Sequence, residues 1–143
     1  MDRTYANARS RRKARQPVSV RRPEDWTAHG AFARELLTSR RLITRYFDPD
    51  LFADPALDIL LDLYAAVTEG KKVATSSACI AAAVPSTTAL RWIARLKAMK
   101  LIEDQPDPAD GRRKWLTLTA AAHAQMTAYL ERINPRIAPA NAN

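Results

Sequence analysis

The sequence predicts a mainly α-helical domain that carries one small β-hairpin. Three observations predict it. Apolar residues recur at helical spacing through most of the chain after residue 22, with Pro and Gly marking the breaks. Only "PDPADGRRKWLTLT", residues 106–119, changes period, passing from a Pro- and Asp-rich turn into the alternation Trp115, Leu116, Thr117, Leu118. The order helix, short strand, helix, turn, helix, hairpin is that of a winged helix-turn-helix with a flanking helix on either side. The hairpin also poses a chemical question, because its tip delivers Arg112, Arg113 and Lys114 together.

Residues 1–22, "MDRTYANARSRRKARQPVSVRR", hold few large apolar side chains and dense like charge, so this basic arm is expected to be disordered when free. A dimerisation helix is expected over residues 23–47. Pro23, Glu24 and Asp25 start it, Phe32, Leu36, Leu37, Ile43 and Phe47 share its period, and Gly30 weakens its first turns. Residues 48–119 are expected to form the winged helix-turn-helix. Within them Asp54 caps and Pro55 opens a helix that closes on Gly70, with Leu57, Leu60, Leu61 and Tyr64 inward and Asp58 and Asp62 on the other side. Val73 lies in a short extended piece. A compact helix over 76–83 follows, then a break at Val84 and Pro85, then a longer helix over 86–99. Leu101 to Gln105 and Arg113 to Leu118 form the hairpin. Residues 120–143 supply a last helix, capped by Thr119 and stopped at Pro135, and a tail.

Charge is segregated along the chain. Its net +8 comprises +7 over residues 1–22, +1 over 23–47, −6 over 48–70 and +6 over 71–143, a distribution that suggests a polyanionic partner. The single cysteine, Cys79, forbids an intrachain disulfide, fits a reducing compartment and reads as a small buried residue. No apolar run approaches the roughly 20 residues of a membrane span. A cytoplasmic protein without a membrane partner is therefore expected. Three glycines cannot supply a Gly-rich phosphate loop, and no nucleophile with its base and no carboxylate pair stands at a useful spacing. No catalytic residue, cofactor or enzyme activity is expected. His29 and His123 lie far apart in the chain with no Cys or paired carboxylate at ligand spacing, so no metal site is expected. Trp26, Tyr64, Trp92 and Trp115 read as core or boundary packing.

The helix over 86–99 is the most informative segment. Ala89, Trp92, Ile93 and Leu96 recur at core spacing, which leaves Ser86, Thr87, Thr88, Leu90, Arg91, Arg95 and Lys97 outward. Short hydroxyls at its first turn can meet phosphates or base edges, and Arg91 one turn later can fork onto guanine. Arg95 and Lys97 suit phosphate better. From about Asp54 to Thr119 the chain resembles the MarR family of bacterial transcription regulators. "VPSTTALRWIARLKAMKLIE" matches its recognition helix, and "DPADGRRKWLTLT" matches its wing, with Asp107, Pro108, Asp110, Arg112, Leu118 and Thr119 in register.

The resemblance implies that the wing Arg112 enters a minor groove while Asp110 orients its guanidinium from behind, with Arg113 and Lys114 on adjacent phosphates. It also implies a dimeric, nucleoid-associated repressor acting on double-stranded DNA, with a small-molecule effector of the phenolic kind among its partners. Two residues depart from the family pattern. Lys100 and Ala83 stand where Gly is usual, so either the local backbone differs there or it carries a small strain. The short segment after Ile133 leaves room for only one carboxy-terminal helix, so dimerisation falls to residues 24–47 and 120–133. Two other readings compete: a sequence-tolerant architectural DNA binder, and a protein-interaction module using the acidic 48–70 stretch.

Overall fold

The computed structural model describes residues 26–140. The basic arm 1–22 and the expected helix start at Pro23, Glu24 and Asp25 lie outside the described residues. Thr27–Leu42 forms α1 and is followed by two 3-10 turns, Ile43–Arg45 and Pro49–Leu51. Helices α2 (Pro55–Thr68), α3 (Thr75–Ala81) and α4 (Ser86–Ala98) come next. Strands β1 (Ile102–Pro106) and β2 (Lys114–Leu118) lead into α5 (Ala120–Ile133) and a last 3-10 turn at Pro135–Ile137.

The helix ends follow their sequence signals. Asp54 accepts from the Leu57 N–H at 3.2 Å, and Pro55 occupies the first turn, where its missing N–H costs nothing. Gly70 takes a φ of 64°, so that its own N–H and that of Lys71 return to the carbonyls of Val67 and Ala66. The Thr119 hydroxyl accepts from the Ala122 N–H at 3.2 Å and donates to the Lys100 carbonyl at 2.9 Å. One side chain thus starts α5 and fastens it to the end of α4.

α2 is the axis of the fold. Ile59, Leu61, Leu63, Tyr64, Ala65 and Ala66 are all buried, because α1, α3, α4, α5 and β2 pack around this one helix. The single apolar face expected from Leu57, Leu60, Leu61 and Tyr64 is too narrow: Leu57 and Leu60 are only half-buried. Asp58, expected to point away from the core, is 5% exposed. It points at α1, where Arg40 Nε reaches its carboxylate at 2.5 Å. Burial pushes the Asp58 carboxyl above its ordinary range, against the pull of Arg40. Arg34 spans Asp62 at 2.7 Å and Glu69 at 2.8 Å, and Lys71 meets Glu69 at 3.0 Å. Burial acts to raise the Glu69 carboxyl too, but these two cations outweigh it and hold the group below its usual value. Three of the six acids in the 48–70 stretch are therefore neutralised inside the fold.

Gly30 sets how closely α1 approaches. A Cβ at this position would run into the side chain of Thr68 on α2, so the residue that weakens the helix by propensity is the one that permits the crossing. His29, Ala33 and Leu37 are buried on the same face. Ile43 and Phe47, expected to continue that face, are exposed instead, because α1 stops at Leu42 and the 3-10 turn rotates the following residues away.

Between α1, α2 and α5 lies a cluster that sequence spacing did not reveal. The Tyr64 hydroxyl meets Thr127 Oγ1 at 2.8 Å, and that hydroxyl donates to the His123 carbonyl at 2.9 Å, which leaves Tyr64 as the donor of the first bond. The His123 ring stacks on Tyr64 with centroids 4.7 Å apart. Trp26 sits edge-on to both His29 and His123, at 5.0 and 5.4 Å. His29 Nε2 donates to Glu131 at 2.8 Å. Burial, reinforced by the adjacent His29, holds the His123 imidazole below its ordinary pKa.

Two outcomes follow. Gly30→Ala should destabilise the domain by about 1–3 kcal/mol through overpacking against Thr68, read as a lowered urea midpoint with unchanged m-value. Because the folded-state pKa of His123 is depressed, the stability it contributes is complete above the unfolded value of about 6.5 and falls as pH drops through and below that value. Urea titrations between pH 7.5 and 5 should show that decline in the parent and a shallower one in His123→Phe; equal slopes would remove His123 as the cause.

Candidate nucleic-acid interface

The inward residues of α3 and α4 fix what faces outward. Ala78 and Ala81 of α3 and Ala89, Ile93 and Leu96 of α4 are buried, so the two helices lock together through small and branched side chains. On the other face of α4, Ser86, Thr87, Leu90, Arg91 and Arg95 are exposed, while Thr88 and Lys97 are partly covered. Pro85 occupies the cap position of α4 and no side chain caps that end, which leaves the first-turn N–H groups to other acceptors. Trp92 lies at the boundary, with the Arg95 guanidinium 5.2 Å from its ring centroid. Lys97 meets Asp104 of β1 at 2.8 Å, so this cation links α4 to the hairpin.

The hairpin is antiparallel, with Ile102 opposite Leu118 and Pro106 opposite Lys114. Its base is anchored twice: Ile102, Leu116 and Leu118 are buried, and the Leu116 N–H donates to the Val73 carbonyl at 2.8 Å. At its tip two aspartates fold the loop by bonding main chain. Asp107 accepts from the Ala109 N–H at 2.9 Å, a bond that holds its carboxyl below the usual range. Asp110 accepts from the Arg112 N–H at 3.0 Å with its side chain and from the Arg113 N–H at 3.0 Å with its carbonyl. Where the resemblance put the Asp110 carboxylate behind the Arg112 guanidinium, the structure gives it the Arg112 backbone. Arg112 and Arg113 lie in the exposed loop, whereas Lys114 begins β2. Arg113 and Lys72 both approach the Trp115 ring, at 5.5 and 6.0 Å from its centroid.

A helix pair with an outward polar face is thus braced by a hairpin carrying arginines at its tip. The domain is a winged helix-turn-helix. Its outer helices α1 and α5 pack on the same core, and from Lys71 to Ile102 the sequence holds six bases and no acid. No helix among the described residues is long and apolar enough to cross a membrane.

No family model matches the chain, and no curated protein sequence does. Among solved structures, the chain is similar to S. aureus MepR in a DNA complex, at 19% identity over 76% of this chain and 84% of that one, with a TM-score of 0.49. It is also similar to S. aureus MepR bound to ethidium bromide, at 18% identity over 79% and 81% of the two chains and a TM-score of 0.45. A third similar structure is apo, heme-free PefR, at 17% identity over 78% and 97% and a TM-score of 0.39.

The turns before and after α4 each hold a non-Gly residue in the left-handed region. Ala83, just before α4, has φ 54°, and Lys100, just after it, has φ 57°. At Lys100 the Leu101 N–H returns to the Leu96 carbonyl and the Lys100 N–H to Lys97, a closure that normally takes Gly. Ala83→Gly and Lys100→Gly should each stabilise the fold by roughly 0.5–1 kcal/mol, the relieved Cβ strain exceeding the entropy that Gly adds to the unfolded chain. Thermal melts would register this as a rise of about 1–4 °C per substitution; a fall at both sites would refute the strain.

Proposed function

We propose that this protein is a double-stranded DNA-binding transcription regulator of the MarR type, acting as a homodimer and repressing by occupying a promoter. One observation carries the reading: a rigid two-helix unit exposes Ser86, Thr87, Leu90, Arg91 and Arg95 on one face, inside a stretch without acids and beside a wing tipped by Arg112 and Arg113. In this reading α4 enters a major groove. Ser86, Thr87 and Thr88 meet phosphates or base edges, Arg91 forks onto guanine, and Arg95, Lys97, Arg113 and Lys114 hold phosphates. Lys97 exchanges Asp104 for phosphate in doing so. Arg112 enters the flanking minor groove, where a narrow A·T-rich track concentrates negative potential.

Dimerisation is supported by the run of exposed apolar side chains Leu42, Ile43, Tyr46, Phe47, Leu51 and Phe52, which no element of the chain covers among the described residues. Tyr129 and Ile133 of α5 add to it. A small aromatic effector fits the same proposal, supported by a concavity of about 330 Å³ lined by Trp26, His123, Thr127 and Glu131. Asp58, Asp62 and Glu69, three of the six acids in the 48–70 stretch, are already paired internally, which weighs against the protein-interaction reading.

In vitro selection of the purified protein on randomised duplex DNA at near-physiological salt should return an inverted repeat with half-sites about one turn, ~10 bp, apart. Retention without a motif and with a steep salt slope would favour the architectural binder instead. On a selected site, Arg91→Ala should relax sequence preference at one base pair at a cost of about 1–3 kcal/mol. Arg112→Ala should weaken binding chiefly where the flanks are A·T-rich. If it bound every duplex as tightly as the parent, the wing's role would fall.

A further inference from the structure

Between α3 and α4 lies an open groove of about 570 Å³, and of the groups directed at phosphate or guanine only Ser86 lines it. Ser76, Cys79, Val84 and Ser86 line it together with Ile80 and Leu90, its two large exposed aliphatic side chains. Ile80 is 75% exposed and Leu90 48%, although both are aliphatic and the surrounding surface is polar. Leu90 stands one turn after Ser86 and immediately before Arg91, on the outward face of α4. The groove therefore joins apolar side chains to a cationic setting.

That combination narrows the occupant. An apolar protein segment would suit Ile80 and Leu90 but would leave Arg91, the neighbour of Leu90, without an opposite charge, since no acid of this chain lies between Lys71 and Ile102. A duplex matches both properties. Its phosphates answer the cations, and the one apolar group on a base edge in the major groove is the methyl at C5 of thymine. Cytosine methylated at C5 presents the same group at the same position.

We propose that Leu90, with Ile80 in the lining of the same groove, reads the C5 methyl of a pyrimidine, thymine in unmodified DNA, beside the guanine taken by Arg91. The proposal rests on the DNA-binding reading above. An aliphatic side chain makes no hydrogen bond, so discrimination comes only from removing the methyl and the two side chains from water. One buried methyl corresponds to about a fourfold change in affinity.

The test uses the full-length protein and a duplex recovered by the selection. Each thymine is replaced in turn by deoxyuridine, which keeps every groove hydrogen-bonding group and removes the methyl alone, and Kd is measured by fluorescence anisotropy. The parent should lose about fourfold at one position per half-site and remain unchanged at the rest. Leu90→Ala, with an unaltered thermal melt, should bind thymine and uracil duplexes equally, and Ile80→Ala should show a reduced difference. At the same position, 5-methylcytosine against cytosine should restore the preference in the parent and not in Leu90→Ala; a preference for thymine alone would confine the reading to unmodified DNA. No methyl-dependent position, or a methyl preference that survives Leu90→Ala intact, would overturn the proposal while leaving DNA binding in place. Failure of the parent to retain any duplex would overturn the DNA-binding reading itself.

Discussion

Everything in this domain is arranged around a helix that has almost no face left for water. α2 is packed by four helices and a strand, so its two aspartates at the α1 side cannot be solvated and must be met by cations from the neighbour. Arg34 and Arg40, six residues apart on α1, do this for Asp62 and Asp58. Removing one member of such a pair leaves a poorly hydrated carboxylate without its partner, so the pairs fix the register of α1 on α2 as well as neutralise it. Gly30 fixes the spacing. Register and spacing together give a single docking of α1, which no apolar stripe alone would specify.

The same economy governs the α3–α4 unit. α4 is held from both ends by residues in the left-handed region, from below by Ala89, Ile93 and Leu96, and from the side by Lys97 on Asp104. Thr119 adds a bond from the start of α5 to the carbonyl of Lys100. The side chains that face outward are therefore carried by backbone with little freedom, the condition under which a few polar groups can be aimed with useful accuracy.

Much of this was legible in the sequence where a local rule decided the outcome. Asp54 and Pro55, Gly70, Thr119 and the alternation at Trp115–Leu118 each act within one turn of the chain, and each element they predict is present. The outward face of α4 was legible for the same reason, since Ala89, Ile93 and Leu96 mark the inward one. What escaped depended on contacts between distant segments. Asp58 reads as a surface carboxylate until α1 is laid across it, Gly30 reads as a weakness until Thr68 stands opposite, and His29 and His123 look unrelated until Trp26 and Tyr64 bring their rings into one cluster. Asp110 shows a subtler limit: its spacing from Arg112 allows a bond to either backbone or guanidinium, and only the folded loop selects the backbone.

The attachment of the hairpin has a mechanical side. The Leu116 N–H on the Val73 carbonyl joins the wing to the segment between α2 and α3, and the Thr119 hydroxyl on the Lys100 carbonyl joins the end of β2 to the end of α4. Wing and recognition helix are therefore parts of one stiff body, and the interval between them is a property of the protein. On the proposed DNA-binding reading, a duplex engaged at both points would have to adjust its own twist and groove width to that interval. The elastic cost of doing so differs among base steps, so the stretch lying between the two contacts, touched by no side chain, would still contribute to which sequences are preferred.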